Sequence, residues 1–91
     1  MEFEWDDPKA ISNFNKHGVR FVSAVGAFYD PHRLDDADQR HEYNEERRVT
    51  IAMIDGRVFA VAYAPRGESI RLISARPASA RERKRYSEEA R

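Results

Sequence analysis

Arg48-Val49-Thr50-Ile51-Ala52-Met53-Ile54-Asp55-Gly56-Arg57-Val58-Phe59-Ala60-Val61-Ala62-Tyr63 is the stretch whose reading decides the fold. Two runs rich in apolar and β-branched residues flank Asp55-Gly56, the dipeptide best suited to the left-handed backbone of a two-residue hairpin loop. That loop sets a register in which Met53 stands opposite Val58, Ile51 opposite Ala60 and Val49 opposite Ala62. Arg66-Gly67 reads as a second tight turn into a strand over residues 69–76. A two-residue loop there puts Ala60 opposite Ile73 and Val58 opposite Ala75. One sheet face then carries Val49, Ile51, Met53, Val58, Ala60, Ala62, Ile73 and Ala75, with Arg71 near its end, and is the expected core. The other carries Arg48, Thr50, Phe59, Val61, Tyr63, Leu72, Ser74 and Arg76; being mixed, it is the expected site.

Outward from the sheet, Pro77 stops the third strand, and Ser79 with Glu82 has the spacing of a capping box for a helix running to about Glu88. Towards the N-terminus, Phe3-Glu4-Trp5 alternates as a short strand. Asp6 or Asp7 is placed to cap a helix over residues 8–17, with Pro8 in its first turn and Gly18 after the basic pair Lys16-His17. Ile11 and Phe14 share the expected buried face of that helix, with Ala10 and His17 as candidates beside them. A second helix is expected over residues 22–28, with Gly26 marking close packing. Residues 32–45 are polar and aperiodic, a loop with room for a short edge strand near its start.

Length and charge narrow the function classes. The 91 residues hold one modest core, so 1–91 reads as a single α+β domain. There is no cysteine, hence no disulfide, no thiolate nucleophile and no thiolate metal site, which suits a reducing cytoplasm. The acidic opening does not resemble a signal peptide, and no apolar run approaches the ~20 residues of a membrane span. Sixteen basic and sixteen acidic groups cancel, but unevenly: residues 1–46 hold 5 basic and 11 acidic groups, a net of −6, and residues 47–91 hold 11 and 5, a net of +6. A neutral total disfavours nonspecific coating of nucleic acid, while the segregation allows a local anion site or a partner of complementary pattern.

No phosphate-loop pattern joins Gly18, Gly26, Gly56 and Gly67, so no nucleotide cofactor is expected. His17, His32 and His41 lack ligand-spaced neighbours, and no metal site is assigned. Lys16 and His17 suit the C-terminal end of a helix dipole, and His17 also suits acid–base chemistry. Glu46-Arg47-Arg48 is either a surface ion-pair cluster or a carboxylate beside guanidiniums that clamp phosphate. Arg71 and Arg76 stand at opposite ends of one strand. A helix-turn-helix pattern is absent, so any DNA contact is expected only through a partner.

Trp5-Asp6, Lys9, Asn13, Lys16-His17-Gly18, Phe21 and Ala24, then Glu46-Arg47, the strand ending Ile73-Ser74-Ala75-Arg76, and Ala78, Glu82-Arg83 and Tyr86 together resemble the BrnT toxins. The resemblance covers nearly the whole chain, with Ala52 standing where a glycine is common and Arg48 where an apolar residue often follows Glu-Arg. It implies a RelE-like fold: two N-terminal helices on an antiparallel sheet, and a C-terminal helix. It also implies a metal-independent ribonuclease that inhibits translation, acts on RNA, and is neutralised by a BrnA-like antitoxin in a hetero-oligomer. Metal-free RNA cleavage needs proton-transfer groups and cations for the pentavalent phosphate, the former worth about 10²–10⁴-fold. Arg76 and Arg47 are the expected phosphate stabilisers, and Lys16, His17 and Glu46 the proton-transfer candidates. Arg48, Arg71 and Arg83 are expected to contact RNA, with Tyr63 or Tyr86 stacking a base. The alternative is a non-enzymatic module whose basic corner docks an acidic partner.

Overall fold

The expected hairpin forms. Asp55 and Gly56 both take positive φ, 49° and 82°, the backbone that matches strand twist in a two-residue loop. In the computed structural model, which describes residues 1–38 and 45–90, this turn joins β3 (Arg48–Ile54) to β4 (Arg57–Arg66) with the expected pairings Met53–Val58, Ile51–Ala60 and Val49–Ala62. Around them lie β1 (Glu2–Glu4), β2 (Leu34–Ala37) and β5 (Ser69–Pro77) in the order β1-β5-β4-β3-β2. The short β2 is the edge strand the polar segment had room for. β1 runs parallel to β5, so the sheet is mixed where an antiparallel one was expected.

The third strand departs from its expected register. Pro65 is inside β4, pairing with Ile70, and the turn is Gly67-Glu68, with Gly67 at φ 60°. The pairing also slips once: Ala62 stands opposite Ser74 but Tyr63 opposite Leu72, which leaves Ile73 as an unpaired bulge residue. Leu72 (1 % exposed) and Ala75 (0 %) thereby reach the same buried face as Ala52, Val61 and Tyr63. The face expected to be mixed is the one packed beneath the N-terminal helices. Ile51, Ala60 and Ala62, also buried, are on the opposite side, with α3 (Ala80–Glu89) over part of it.

Local signals account for the helices. Asp6 caps α1 (Asp7–His17) by accepting from the Lys9 N–H at 3.2 Å, and Gly18 closes it at φ 72° with its N–H on the Phe14 carbonyl at 2.8 Å. The expected second helix is a single turn, α2 (Phe21–Ala24), that tightens into 3-10 geometry over Val25–Tyr29. A Cβ on Gly26 would meet the Ile54 side chain at 3.4 Å, which accounts for the close packing. Phe21, Ala24, Ala27 and Phe28 bury against the sheet, and the Phe28 ring meets Tyr63 edge-on with centroids 4.9 Å apart.

The buried stripe of α1 is not the expected one. Ile11 is 63 % and Phe14 48 % exposed, whereas Asn13 is buried and Ala10 packs on the core. β1 covers β5 only as far as Arg71, leaving the backbone of Ala75 on an open edge. Asn13 closes it: Nδ2 donates to the Ala75 carbonyl at 2.9 Å and the Val19 carbonyl at 3.0 Å, and Oδ1 accepts from the Ala75 N–H at 3.0 Å. The amide thus stands in for one residue of a missing strand. Asn13→Ala should destabilise the fold by about 3 kcal/mol in urea unfolding, because three partners are left buried and unpaired. Ile11→Ala should stay within about 0.5 kcal/mol; equal effects of the two would refute the clamp.

Candidate functional site

Arg71 and Arg76 are five positions apart, and a regular strand would turn them to opposite faces. The bulge at Ile73 brings both to the α3 side, where Arg76 pairs with Ala60 and Arg71 with Ala64. Arg47 precedes Arg48 and so shares the face of Val49 and Ile51. Three of the expected site arginines therefore lie over one sheet face, floored by small buried alanines. Two clefts open there. One, of about 630 Å³, is lined by Asp36, Asp38, Val49, Ile51, Arg76, Ser79, Arg81, Glu82 and Arg85. The other, of about 450 Å³, is lined by Lys9, Glu45, Arg47, Arg66, Arg71 and Ile73.

The first cleft is organised by α3. Ser79 accepts from the Glu82 N–H at 3.1 Å while Glu82 accepts from the Ser79 N–H at 2.8 Å, the capping box expected from the spacing. The same carboxylate receives a fork from Arg76, at 2.7 and 3.0 Å. That hydrogen-bonded guanidinium, against an opposing cost of burial, holds the Glu82 carboxyl down from an ordinary 4.5 to about 2. Further along the helix Arg85 forks onto Asp36, which lies below its ordinary value chiefly for that reason. Tyr86 donates to Asp30, and burial first, then that carboxylate, pushes its phenol up to about 12.

The expected site residues do not all gather here. Lys16 and His17 end α1, and His17 lines a separate cleft with Arg57, Phe59 and Pro77. That cleft is at the end of β5 where Arg76 is found, but on the helix-covered side of the sheet, with Phe59 and Pro77, and Arg76 faces the opposite side. Arg48 is turned to the helix-covered side, 3.3 Å from Asp35 and 3.1 Å from Glu46. Tyr63 is 4 % exposed, with Phe28 on its ring and its hydroxyl 2.6 Å from Asp35, and Tyr86 is 8 % exposed. Neither ring has an open face for a base, so stacking on them is corrected to a structural role. Both look amphipathic in sequence, but each hydroxyl has a carboxylate within the fold. Arg83 donates to the Ala78 carbonyl at 2.9 Å, and Arg71 pairs with Glu4 at 3.4 Å. Glu46 flanks Arg47 at the entry to β3. His41 lies outside the described residues.

Lys9 and Arg66 were not among the expected site residues. Lys9 reads as a first-turn helix residue and Arg66 as a turn residue; only the edge position of α1 and the full length of β4 bring them to Arg47 and Arg71.

Residues 5–82 match the family model described as "Ribonuclease toxin, BrnT, of type II toxin-antitoxin system". The match spans Lys9, Asn13, Glu46, Arg47, Arg71, Arg76 and Glu82. No curated protein matches the chain. Among the described residues, no helix is long and apolar enough to cross a membrane.

A carboxyl with a lowered folded pKa contributes stability that is complete above its unfolded value and is lost as pH falls to the folded one. Glu82 should therefore withdraw about 1–2 kcal/mol between roughly pH 5 and pH 2, discounting its shift for solvent screening. Urea unfolding of Arg76→Met across this range should show a correspondingly flatter acid limb; an unchanged limb would refute the assignment.

Proposed function

Since the chain belongs to the BrnT family of ribonuclease toxins of type II toxin–antitoxin systems, we propose that it is a RelE-like, metal-independent endoribonuclease. In this reading it arrests translation in the cytoplasm by cutting RNA and is neutralised by a BrnA-like antitoxin, through which any DNA contact is made. The observation that carries the reading is the sharing of one sheet face by Arg47, Arg71 and Arg76. A single-stranded polyanion laid across that face meets guanidiniums along its path, and their planar forks match phosphate oxygens.

The chemistry follows from that placement. The 2′-oxygen attacks the adjacent phosphorus and the bond from phosphorus to the 5′ oxygen breaks, leaving a 2′,3′-cyclic phosphate and a 5′-hydroxyl. Arg76 and Arg47 stabilise the extra negative charge from two sides. Arg76 must exchange its Glu82 oxygens for phosphate oxygens, an exchange of one bidentate partner for another. Of the proton-transfer candidates, Glu46 is next to Arg47 in sequence but has its carboxylate 3.1 Å from Arg48, so it takes the 2′-hydroxyl proton only on leaving that pair, while the 5′ oxygen is protonated from solvent. Lys16 and His17, on the other side of the sheet from Arg76, contribute only if the RNA wraps round the end of β5.

The second reading, a module that binds an acidic protein without chemistry, is favoured by the same arginines, since an antitoxin has to cover them. Purified protein incubated with RNA in EDTA separates the two. Cleavage is expected; cleavage abolished by EDTA would overturn metal independence, and none under any condition would favour the binding module. Arg76→Ala and Arg47→Ala, folded by circular dichroism, should each lower cleavage about 10²-fold or more and relieve growth arrest; undiminished toxicity would overturn their roles.

A further inference from the structure

The second cleft has a composition that the cleavage chemistry does not require. Of the six described residues that line it, Lys9, Arg47, Arg66 and Arg71 are basic, Glu45 is acidic and Ile73 is apolar. They come from four separate places: the first turn of α1, the entry to β3, the end of β4 and the bulged strand β5. Bringing four like charges together from distant segments opposes folding unless anions offset them. Among the described residues, Arg66 pairs with Glu45 at 3.1 Å, and Arg71 with Glu4 at 3.4 Å from the neighbouring strand. Both are partly exposed pairs of the kind that contributes little and exchanges readily.

Resting on the reading of this face as an RNA-cleaving surface, we propose that Lys9, Arg66 and Arg71, beside Arg47, form a subsite for a backbone phosphate flanking the one that is cut. Three features define the ligand as a polynucleotide phosphate. The cleft is open to solvent along the sheet, so it admits a passing chain. It lies on the same side of the sheet as the cleft that holds Arg76, so one strand can engage both. Among the described residues, its cations are three guanidiniums and one ammonium around a single apolar side chain. Such a set of cations contacts the phosphate backbone, the part of the chain that positions and does not specify. The subsite fixes where along the strand cleavage falls, by holding the RNA one step away from the reacting bond.

The test uses a 12-nucleotide 2′-O-methyl RNA, which has no nucleophile, so binding is read by fluorescence anisotropy independently of cleavage. Lys9→Ala and Arg66→Ala should each weaken binding about 5–10-fold near 0.1 M salt. Each should also lower the slope of log affinity against log salt by about 0.7, the value for one phosphate contact on a single strand. Lys84→Ala, which removes an exposed cation of α3 outside both clefts, should leave both quantities unchanged. Wild-type affinity and slope in folded Lys9→Ala and Arg66→Ala would overturn the subsite even if the protein cleaves RNA. An equal loss in Lys84→Ala would overturn it too, by reducing the effect to net charge. Loss of binding with no ribonuclease activity in the wild type would leave the subsite standing and remove the cleavage reading instead. Selective loss of binding to a poly-glutamate peptide, with RNA affinity intact, would assign the cleft to a protein partner and overturn the proposal.

Discussion

Ile73 has no partner across β4, and the common face of Arg71 and Arg76 follows from that one insertion. Leu72 and Ala75 are separated by an odd number of positions, so a regular strand could bury only one of them beneath the helices. Fully burying a leucine is worth roughly 1.5–3 kcal/mol, and with Phe21, Phe28 and Tyr63 waiting on that face the strand gains by bulging. The arginines are carried along. Arg71 and Arg76 arrive on one side because Leu72 and Ala75 arrive on the other. The charged face is in this sense a by-product of core packing, and a change in the hydrophobic residues of β5 would rearrange the cations without touching them.

What was legible in the sequence was local. The Asp55-Gly56 hairpin, a cap at Asp6 or Asp7, the Gly18 terminator and the Ser79–Glu82 box each depend on residues within a few positions of one another, and each is found, with Asp6 as the cap. The register between β4 and β5 was not legible. Pro65 looks like a strand breaker, yet it pairs within β4, and the one break in alternation between Ile70 and Ala75, the adjacent apolar pair Leu72-Ile73, reads as regular strand. The face of α1 was misread for a related reason. Ile11 and Phe14 have helical spacing, but so do Ala10, Asn13 and His17. The second stripe faces the sheet, with Asn13 buried, because β5 has an open backbone edge that a side-chain amide closes.

The site was legible as chemistry and not as geometry. Arg47 and Arg76 could be chosen from residue type, because a guanidinium fork matches phosphate oxygens. Their common face depended on the bulge. Lys16 and His17 were attractive as an acid–base pair but belong to the opposite side of the sheet from Arg76. Tyr63 and Tyr86 were attractive as platforms, yet Asp35 and Asp30 hold their hydroxyls inside the fold. Lys9 and Arg66 carried no local signal; proximity to Arg47 is a property of the assembled sheet edge.

Glu82 serves two masters. One carboxylate closes the first turn of α3 on Ser79 and also holds the fork of Arg76. The order of the helix and the availability of the arginine are therefore two ends of a single balance. An anion that draws Arg76 away leaves Glu82 charged and freer to tighten the cap. Anything that frays the first turn lets Glu82 follow the arginine and screen it. By reciprocity the effect runs both ways with equal strength, so a ligand on the sheet is sensed in the helix, and a partner that grips the helix is sensed on the sheet.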